Sequence, residues 1–396
     1  MLEGLQLTEQ EPLRNYTTFR IGGPARYFVR ISSLADLHEA LQLSAREKLP
    51  MFMLGGGSNV LFADRGYHGI VAKMEMRGIE LLDSDRRFVR VKVAAGERWD
   101  DFVRLAVRHG WHGVENMSLI PGTVGAAPVN NIGAYGQEVS AVVDEIHAWD
   151  TVRQQLVILA AHECEFSYRS SIFNCAANGR YVILYVVFCL TKHGQTVFTS
   201  EMRRRLRELR RRRLGVAGDV LSQLVFARIG YLPHYCRRQR LRAARRSVIS
   251  LRTDGRLPDP RSTGSAGCFF KAAIVRQPEF DTFIRKLERS FDRSFAAAYL
   301  SRWHTRCSNG DVKVAVTPLI RRCGLADLRV GGAALHPVSP AVVINATGHA
   351  TADDVMVLAK HVRVAVFKRT GLIVPIEPQL AGFTHDEMQH YLSVFD

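Results

Sequence analysis

The sequence lacks the features that mark membrane and secreted proteins. No run of about 18 apolar residues occurs in it, so no segment is typical of a membrane-spanning helix. Its N-terminal residues also lack the basic, apolar and small-residue pattern of a signal peptide. We therefore expect a cytoplasmic protein that does not interact with membranes.

Cysteine is scarce and follows no pattern. The 396 residues include seven cysteines, an odd number, and no two are spaced as Cys-x-x-Cys. This favours free thiols over disulfides or zinc ligands. His109 and His112 lie close together, but no second pair of ligands accompanies them, so we predict no metal site.

A dinucleotide fingerprint is missing as well. No G-x-G-x-x-G motif opens a helix after a strand, so any dinucleotide is bound by a fold other than the Rossmann fold. What is present is the composition of a globular protein, 47% hydrophobic and 23% charged, in a chain long enough for two or three domains.

The net charge of +16 comes mostly from one segment without lysine. Between Arg203 and Arg246 there are fifteen arginines against two acidic residues, Glu208 and Asp219. Clustered arginines can bind RNA phosphates. We nevertheless interpret residues 203–246 as a solvated helical insertion and do not expect a nucleic-acid partner.

The stretch from Asn116 to Gln137 contains no charged residue. Two prolines and four glycines interrupt every helix or strand that it could form. Glycines allow a backbone to approach a flat or phosphorylated ligand closely. The stretch is therefore either a cofactor cradle or a tight structural crossover.

A second glycine-rich segment follows a predicted strand. The strand Met51 to Leu54 leads directly into Gly55, Gly56, Gly57, Ser58 and Asn59. A glycine run after a strand offers backbone amides to phosphate oxygens, although such runs also form ordinary turns.

Two further residues are candidates for chemistry. Arg169 lies among apolar and hydroxyl residues, as either a salt-bridged structural arginine or an anion clamp. Cys268 lies between small residues, with Lys271 nearby, and either approaches a ligand or is an ordinary buried cysteine.

Periodicity predicts the regular elements. We expect helices that begin at the cap Ser33, over Asp100 to His109, over Glu279 to Leu287, and from the cap Thr351 to Gly371. Strands are expected around Tyr27 to Val29, Val89 to Val93, Ile146 to Trp149, Tyr181 to Leu190, Ala341 to Asn345 and Leu372 to Ile376.

Six motifs in order resemble the flavoenzyme family UDP-N-acetylenolpyruvoylglucosamine reductase: TTFRIGGPA at 17–25, LGGGSNVLF at 54–62, SLIPGTVGAAPVNNIGAYG at 118–136, SYRSSIF at 167–173, LPDP at 257–260 and GSAGCFFK at 264–271. The resemblance implies an α+β fold, with a two-part FAD-binding module of the vanillyl-alcohol-oxidase type and a C-terminal α+β substrate domain. The expected parts are 1–77 and 78–256 (FAD-binding subdomains), 257–371 (substrate domain) and 372–396 (a returning strand).

The same resemblance implies the cofactors, the reaction and the site residues. NADPH reduces FAD, which reduces the enolpyruvyl group of a UDP-sugar in peptidoglycan synthesis. FAD would be held by Gly55, Gly56, Gly57, Ser58, Asn59, Pro121, Gly122, Thr123, Gly125, Ala126 and Ile132. Arg169 would stabilise the enolate, and the thiol of Cys268 would donate the proton. The substrate would contact Tyr135, Tyr168, Arg252, Arg256 and Lys271. We expect a monomer.

The sequence departs from the family pattern near its end. A catalytic glutamate is expected at the position of Gln379. Glu377 lies two residues before it on the same face of an extended strand, and it is the second catalytic candidate, which could substitute if the strand slides. Thr199, Ala272, Pro318 and Ala381 also replace residues that the family pattern contains. A flavin-binding protein with lost or altered activity is therefore the alternative to an active reductase.

Overall fold

The structure is a computed structural model that describes residues 5–194, 196–209, 233–255, 257–259, 262–307 and 309–395. None of the described helices is both long and apolar enough to cross a bilayer.

The helices and strands are numbered in chain order. The helices are α1 (Leu34–Glu47), α2 (Trp99–His109), α3 (described over 200–209), α4 (Pro233–Arg252), α5 (Gln277–Ser290), α6 (Arg293–Arg302), α7 (Thr317–Arg322), α8 (Ala352–Thr370) and α9 (His385–Leu392). The strands of the first half are β1 (Leu7–Pro12), β2 (Pro24–Ile31), β3 (Met51–Leu54), β4 (Val60–Phe62), β5 (Tyr67–Met74), β6 (Ile79–Ser84), β7 (Phe88–Ala94), β8 (Gly133–Ala134), β9 (Gln137–Glu138), β10 (Val143–Asp150), β11 (Gln155–Ala160) and β12 (Tyr181–Thr191). Those of the second half are β13 (Gly264–Ser265), β14 (Ala273–Val275), β15 (His304–Arg306), β16 (Val312–Val314), β17 (Arg329–Val330), β18 (Ala333–Leu335), β19 (Val343–Asn345) and β20 (Gln379–Ala381).

The chain divides into two compact units. The first consists of Met1–Thr8, Phe28–Gly56 and Ile70–Asp254, and the second of Glu9–Tyr27, Gly57–Gly69 and Gly255–Asp396. The division into four parts that the sequence indicated stays a prediction.

The first unit contains an antiparallel sheet in the order β11-β10-β12-β7-β6. Val89, Val91 and Val93 of β7 are buried while the alternating positions are partly exposed, as the sequence predicts for a half-buried strand. Phe102 of α2 stacks on Phe188 of β12 with ring centroids 4.6 Å apart. This contact fixes α2 against the sheet, so that its first turn has a defined position.

Strand β3 ends directly at the glycine run. It pairs in parallel with β5, with Met51 opposite Ile70 and Leu54 opposite Lys73, in a four-stranded sheet of order β1-β2-β5-β3. Helix α1 begins at the predicted cap, where the Ser33 side chain accepts from the backbone N–H of Asp36.

The arginine-rich segment is less solvated than the sequence indicated. Helix α4 carries six of the fifteen arginines, yet its residues Leu241, Ala244, Val248 and Leu251 are buried. Burying a leucine or valine side chain contributes about 1.5–3 kcal/mol. The prediction of a solvated helix is therefore wrong for α4, because an apolar face was hidden among the arginines. Residues 210–232 of the segment lie outside the described residues.

Helix α8 is the centre of the second unit. Its N-cap Thr351 forms a capping box with Asp354, and Gly371 ends it in the left-handed conformation with φ of 72°. Both ends agree with the sequence prediction. The buried face of α8 packs in a core with the sheet β13-β19-β18-β17 and the sheet β14-β16-β15.

The predicted strand from Leu372 to Ile376 is wrong. Within this segment Pro375 O accepts from Lys271 N, Val374 O accepts from Arg363 Nε, and Ile376 forms an isolated bridge with Phe270. Pro375 has no N–H to donate, which prevents a regular ladder. The strand begins later, as β20, and pairs in parallel with β4 so that Gln379 lies opposite Val60.

Candidate active site

The uncharged stretch is held by the start of α2. Trp99 N donates to Gly122 O at 3.1 Å, and the indole N–H of Trp99 donates to Met117 O at 2.9 Å. Two further backbone bonds join Val124 N to Glu97 O (2.8 Å) and Gly125 N to Ala95 O (2.9 Å). The backbone of this stretch is therefore paired partly with the segment before and at the start of α2, and partly through turns within the stretch, such as Ile120 N to Met117 O.

The glycine run packs tightly on the same stretch. A Cβ at Gly56 would lie 2.6 Å from Gly122 Cα, and one at Gly55 would lie 2.9 Å from Thr123 Oγ1. Only glycine allows two backbones to approach this closely. Lys73 also fixes the glycine run, because its Nζ donates to Gly55 O at 2.6 Å. Burial of the Lys73 side chain lowers its pKa below the ordinary value.

Tyr135 lies at the tip of a hairpin. Strands β8 and β9 pair with Ala134 opposite Gln137, and the two residues between them, Tyr135 and Gly136, have φ of 49° and 83°. Positive φ at both central positions is typical of a type I′ turn. The turn fixes the direction of the Tyr135 side chain.

Two buried polar residues next to the stretch were missed in the sequence. The Asn116 amide donates to Tyr135 O at 3.0 Å and to Val197 O at 2.9 Å, and its backbone N–H donates to Gln137 Oε1. Glu115 is fully buried, and its burial raises the pKa of its carboxyl group. The signal was their position, since Asn116 begins the uncharged stretch and Glu115 directly precedes it.

Arg169 lies against the far end of the stretch. Its Nη1 and Nη2 donate to Asn131 O at 3.3 Å and to Gly133 O at 2.9 Å. The guanidinium also lies over the ring of Tyr168, 5.6 Å from its centroid. The structure thus brings together Arg169, Tyr168 and the hairpin that carries Tyr135. The role of Arg169 as an anion clamp stays a prediction.

Backbone strain is concentrated around these residues. The structure describes nine non-glycine residues with positive φ, and four of them are Leu119, Asn131, Tyr135 and Arg169. Each such conformation costs on the order of 1–3 kcal/mol and persists only where the surroundings enforce it. Such clustering is typical of a functional site.

The first unit fits a flat, phosphorylated cofactor. Gly55 and Gly56 pack directly on Thr123 and Gly122. Thr123 Oγ1 is buried with no hydrogen-bond partner among the described residues. A buried hydroxyl of this kind normally has a partner, which a bound cofactor supplies. Gly125, Ala126 and Ile132 complete this part of the stretch, while Pro121 at its turn is exposed.

The second unit brings together the other catalytic candidates. Cys268 is exposed in a turn after Gly267, whose φ is 73°. Its neighbour Phe269 accepts from Glu377 N at 2.9 Å. Asn59 links the same residues, since its Nδ2 donates to Glu377 O at 3.4 Å and its carbonyl accepts from Gln379 N at 3.0 Å.

The prediction that Glu377 and Gln379 lie on one strand face does not hold, because Glu377 precedes β20, which begins at Gln379. The side chain of Gln379 is exposed. Arg252 is the last residue of α4, Lys271 follows the Cys268 turn, and Ser58 follows Gly57. Arg256 lies outside the described residues.

Known proteins match nearly the whole chain. The sequence model described as an FAD binding domain matches residues 25–155, and that of the UDP-N-acetylenolpyruvoylglucosamine reductase C-terminal domain matches residues 259–381. Both parts of the predicted α+β architecture are thereby confirmed.

Relatives named UDP-N-acetylenolpyruvoylglucosamine reductase share about a third of their residues with the chain. The protein of Neisseria gonorrhoeae is 34% identical over 92% of this chain and 95% of its own length. That of Chromobacterium violaceum is 35% identical over 94% and 98%. The crystal structure of the reductase from Thermus caldophilus aligns with a TM-score of 0.60 at 19% identity, covering 96% of this chain and 99% of that one. The chain belongs to the UDP-N-acetylenolpyruvoylglucosamine reductase family.

Proposed function

We propose that the protein reduces the enolpyruvyl group of UDP-N-acetylglucosamine-enolpyruvate to UDP-N-acetylmuramate, a step in making peptidoglycan precursors, with NADPH as the reductant. The observation that carries the proposal is the position of Arg169 against the strained cradle of a family member. FAD, when bound, supplies two-electron transfer between NADPH and the carbon–carbon double bond.

Arg169 has the chemistry to stabilise the negative charge that develops on the substrate. Reduction of the double bond leaves an enolate beside a carboxylate, and a guanidinium can donate to oxygens of both. Its Nη1 and Nη2 donate to the carbonyls of Asn131 and Gly133. Those bonds orient the group before substrate arrives, which is the condition for effective charge stabilisation.

Cys268 supplies the proton in this proposal. Its turn exposes the thiol, and a thiol with an ordinary pKa of about 8.5 is mostly protonated at neutral pH. It donates to the α carbon as the enolate collapses. The thiol is also open to oxidation, which a serine would not be.

Gln379 limits the second half of this chemistry. An amide can donate a hydrogen bond to the enolate oxygen, but it cannot exchange a proton as a carboxyl group can. We propose that Glu377 does not replace the missing glutamate, because Gln379 is the first residue of β20 whereas Glu377 lies outside the strand. Tyr135, Tyr168, Lys271, Arg252 and Arg256 are proposed to bind the UDP-sugar.

We further propose a cytoplasmic monomer without a nucleic-acid partner. Part of the arginine charge is neutralised within the chain, as Arg245 pairs with Asp100 at 2.7 Å and Arg205 with Glu208 at 2.9 Å. Salt-dependent binding to RNA would contradict this part of the proposal.

The direct test is steady-state oxidation of NADPH by the purified protein when the enolpyruvyl UDP-sugar is added. Substrate-dependent oxidation that yields UDP-N-acetylmuramate is expected. A yellow, FAD-containing protein that oxidises no NADPH under these conditions would favour the flavin-binding alternative.

A further inference from the structure

Helix α4 is connected to the cradle through a single carboxylate. Arg245 donates from both Nη atoms to the two oxygens of Asp100, each at 2.7 Å. The same Oδ1 of Asp100 accepts from Leu119 N at 2.7 Å. Leu119 belongs to the uncharged stretch and has a φ of 57°.

This connection is largely removed from water. The side chains of Arg245 and Asp100 are 13% and 24% exposed. Burial alone would raise the pKa of Asp100, but the hydrogen bonds from Arg245 and Leu119 lower it below its ordinary value. A bidentate arginine–carboxylate pair fixes the orientation of the carboxylate more firmly than a single bond does.

A second contact joins α4 to the same region. Tyr135 and Phe198 pack against the small core of Met202, Ala244, Val248 and Leu251. Ala244 and Val248 flank Arg245 on α4, so one face of the helix contacts both ends of the uncharged stretch, through Asp100 at Leu119 and through the ring of Tyr135.

We propose that Arg245 is a positioning residue for the cofactor, which acts by fixing Leu119 and the turn at Gly122 through Asp100. The proposal rests on the proposed function, since it takes the stretch as the flavin cradle. It assigns a role to the arginine-rich segment, in which one arginine of α4 sets how tightly the cradle retains FAD.

The test measures the rate at which FAD leaves the holoenzyme after dilution, followed by the return of flavin fluorescence. Arg245→Met is expected to speed release about tenfold, a change of about 1.4 kcal/mol. Arg246→Met is the matched control, because Arg246 is the adjacent arginine and is exposed; its release rate should not change. Arg245→Lys keeps the charge without the two-bond geometry and should fall between.

A charge-swapped variant, Asp100→Arg with Arg245→Asp, separates positioning from simple stability. It restores an ion pair but leaves Leu119 N without its acceptor, so the melting temperature should recover while FAD release stays fast. If Arg245→Met and Arg245→Lys retain FAD as the unmodified protein does, or if the swapped variant regains slow release, the proposal is overturned. Fast release from Arg245→Met in a protein without turnover would reject only the proposed reaction.

Discussion

The uncharged stretch of the first unit and the segment around Gln379 in the second differ in how they are held. The stretch is fixed by side chains as well as backbone, including Asn116, Arg169 and Trp99. The segment from Ile376 to Gln379 is held by backbone bonds and the Asn59 amide, and the Gln379 side chain is exposed.

This difference predicts which positions tolerate a substitution. A change in the stretch meets close neighbours, as at Gly125, where a Cβ would lie 2.5 Å from Ala95 Cβ and 3.0 Å from Ala95 Cα, and so disturbs the fold. A change of the Gln379 side chain leaves every described backbone bond of β20 intact. We therefore expect substitutions in the stretch to disturb the structure more than substitutions of Gln379 do.

The largest effect is expected from Gly56→Val, which places a branched side chain where Gly122 Cα leaves no room. We expect loss of bound FAD in the purified protein, measured by absorbance near the flavin bands. Gly179→Asn is the control, because Gly179 has φ of 80°, which asparagine tolerates, and no atom lies near its absent Cβ. A Gly56→Val protein that is fully loaded with FAD would contradict a role of the Gly56–Gly122 contact in binding FAD.

Cys268→Ala should lower kcat by about 10²–10⁴-fold while FAD stays bound, because the proton donor is removed. Cys268→Ser is the matched control and should retain most of the activity. Unchanged kcat in the alanine variant would mean that another group donates the proton.

Arg169→Lys is expected to lower kcat by about 100-fold, since lysine keeps the charge but not the forked geometry. Arg153→Lys, at an exposed position of the same unit, should behave like the unmodified protein. Both are compared by single-turnover kinetics with substrate in excess. Equal rates for the two variants would return Arg169 to a structural role.

The smallest effect is expected at Gln379, the exposed residue at the start of β20. Gln379→Glu should raise kcat by about tenfold, because a carboxyl group can exchange a proton with the enolate, and should leave the melting temperature unchanged. Gln389→Glu adds the same charge on the exposed face of α9 as a control. If Gln379→Glu changes neither kcat nor its pH profile, the departure at this position is not what limits activity.

Much of the fold was predictable because local signals agree with the final structure. The caps Ser33 and Thr351 and the glycine Gly371 mark helix ends through bonds within a few residues of each. The alternation in β7 was equally readable, since one face of the strand is buried. The terminal strand was misplaced because its pairing depends on β4, more than 300 residues earlier in the chain.

Candidate site residues could be predicted from the sequence where they lie in one continuous segment. They could not be predicted where they depend on contacts between residues far apart in the chain. The uncharged stretch was recognisable from its composition alone, which combines glycines and prolines without any charged residue. Nothing local distinguishes Arg245 from the neighbouring arginines, because its role depends on Asp100, 145 residues away. The contact of Lys73 with Gly55 was hidden for the same reason, as it arises from the pairing of β3 with β5.

The absorption spectrum of the purified protein under anaerobic conditions tests most directly whether the cradle holds FAD in a working reductase. We predict flavin bands in the protein as isolated or after loading with FAD, their bleaching by NADPH, and their return when the enolpyruvyl UDP-sugar is added. A protein that takes up no FAD would contradict the flavin cradle, and NADPH-bleached bands that do not return with substrate would contradict the reductase activity.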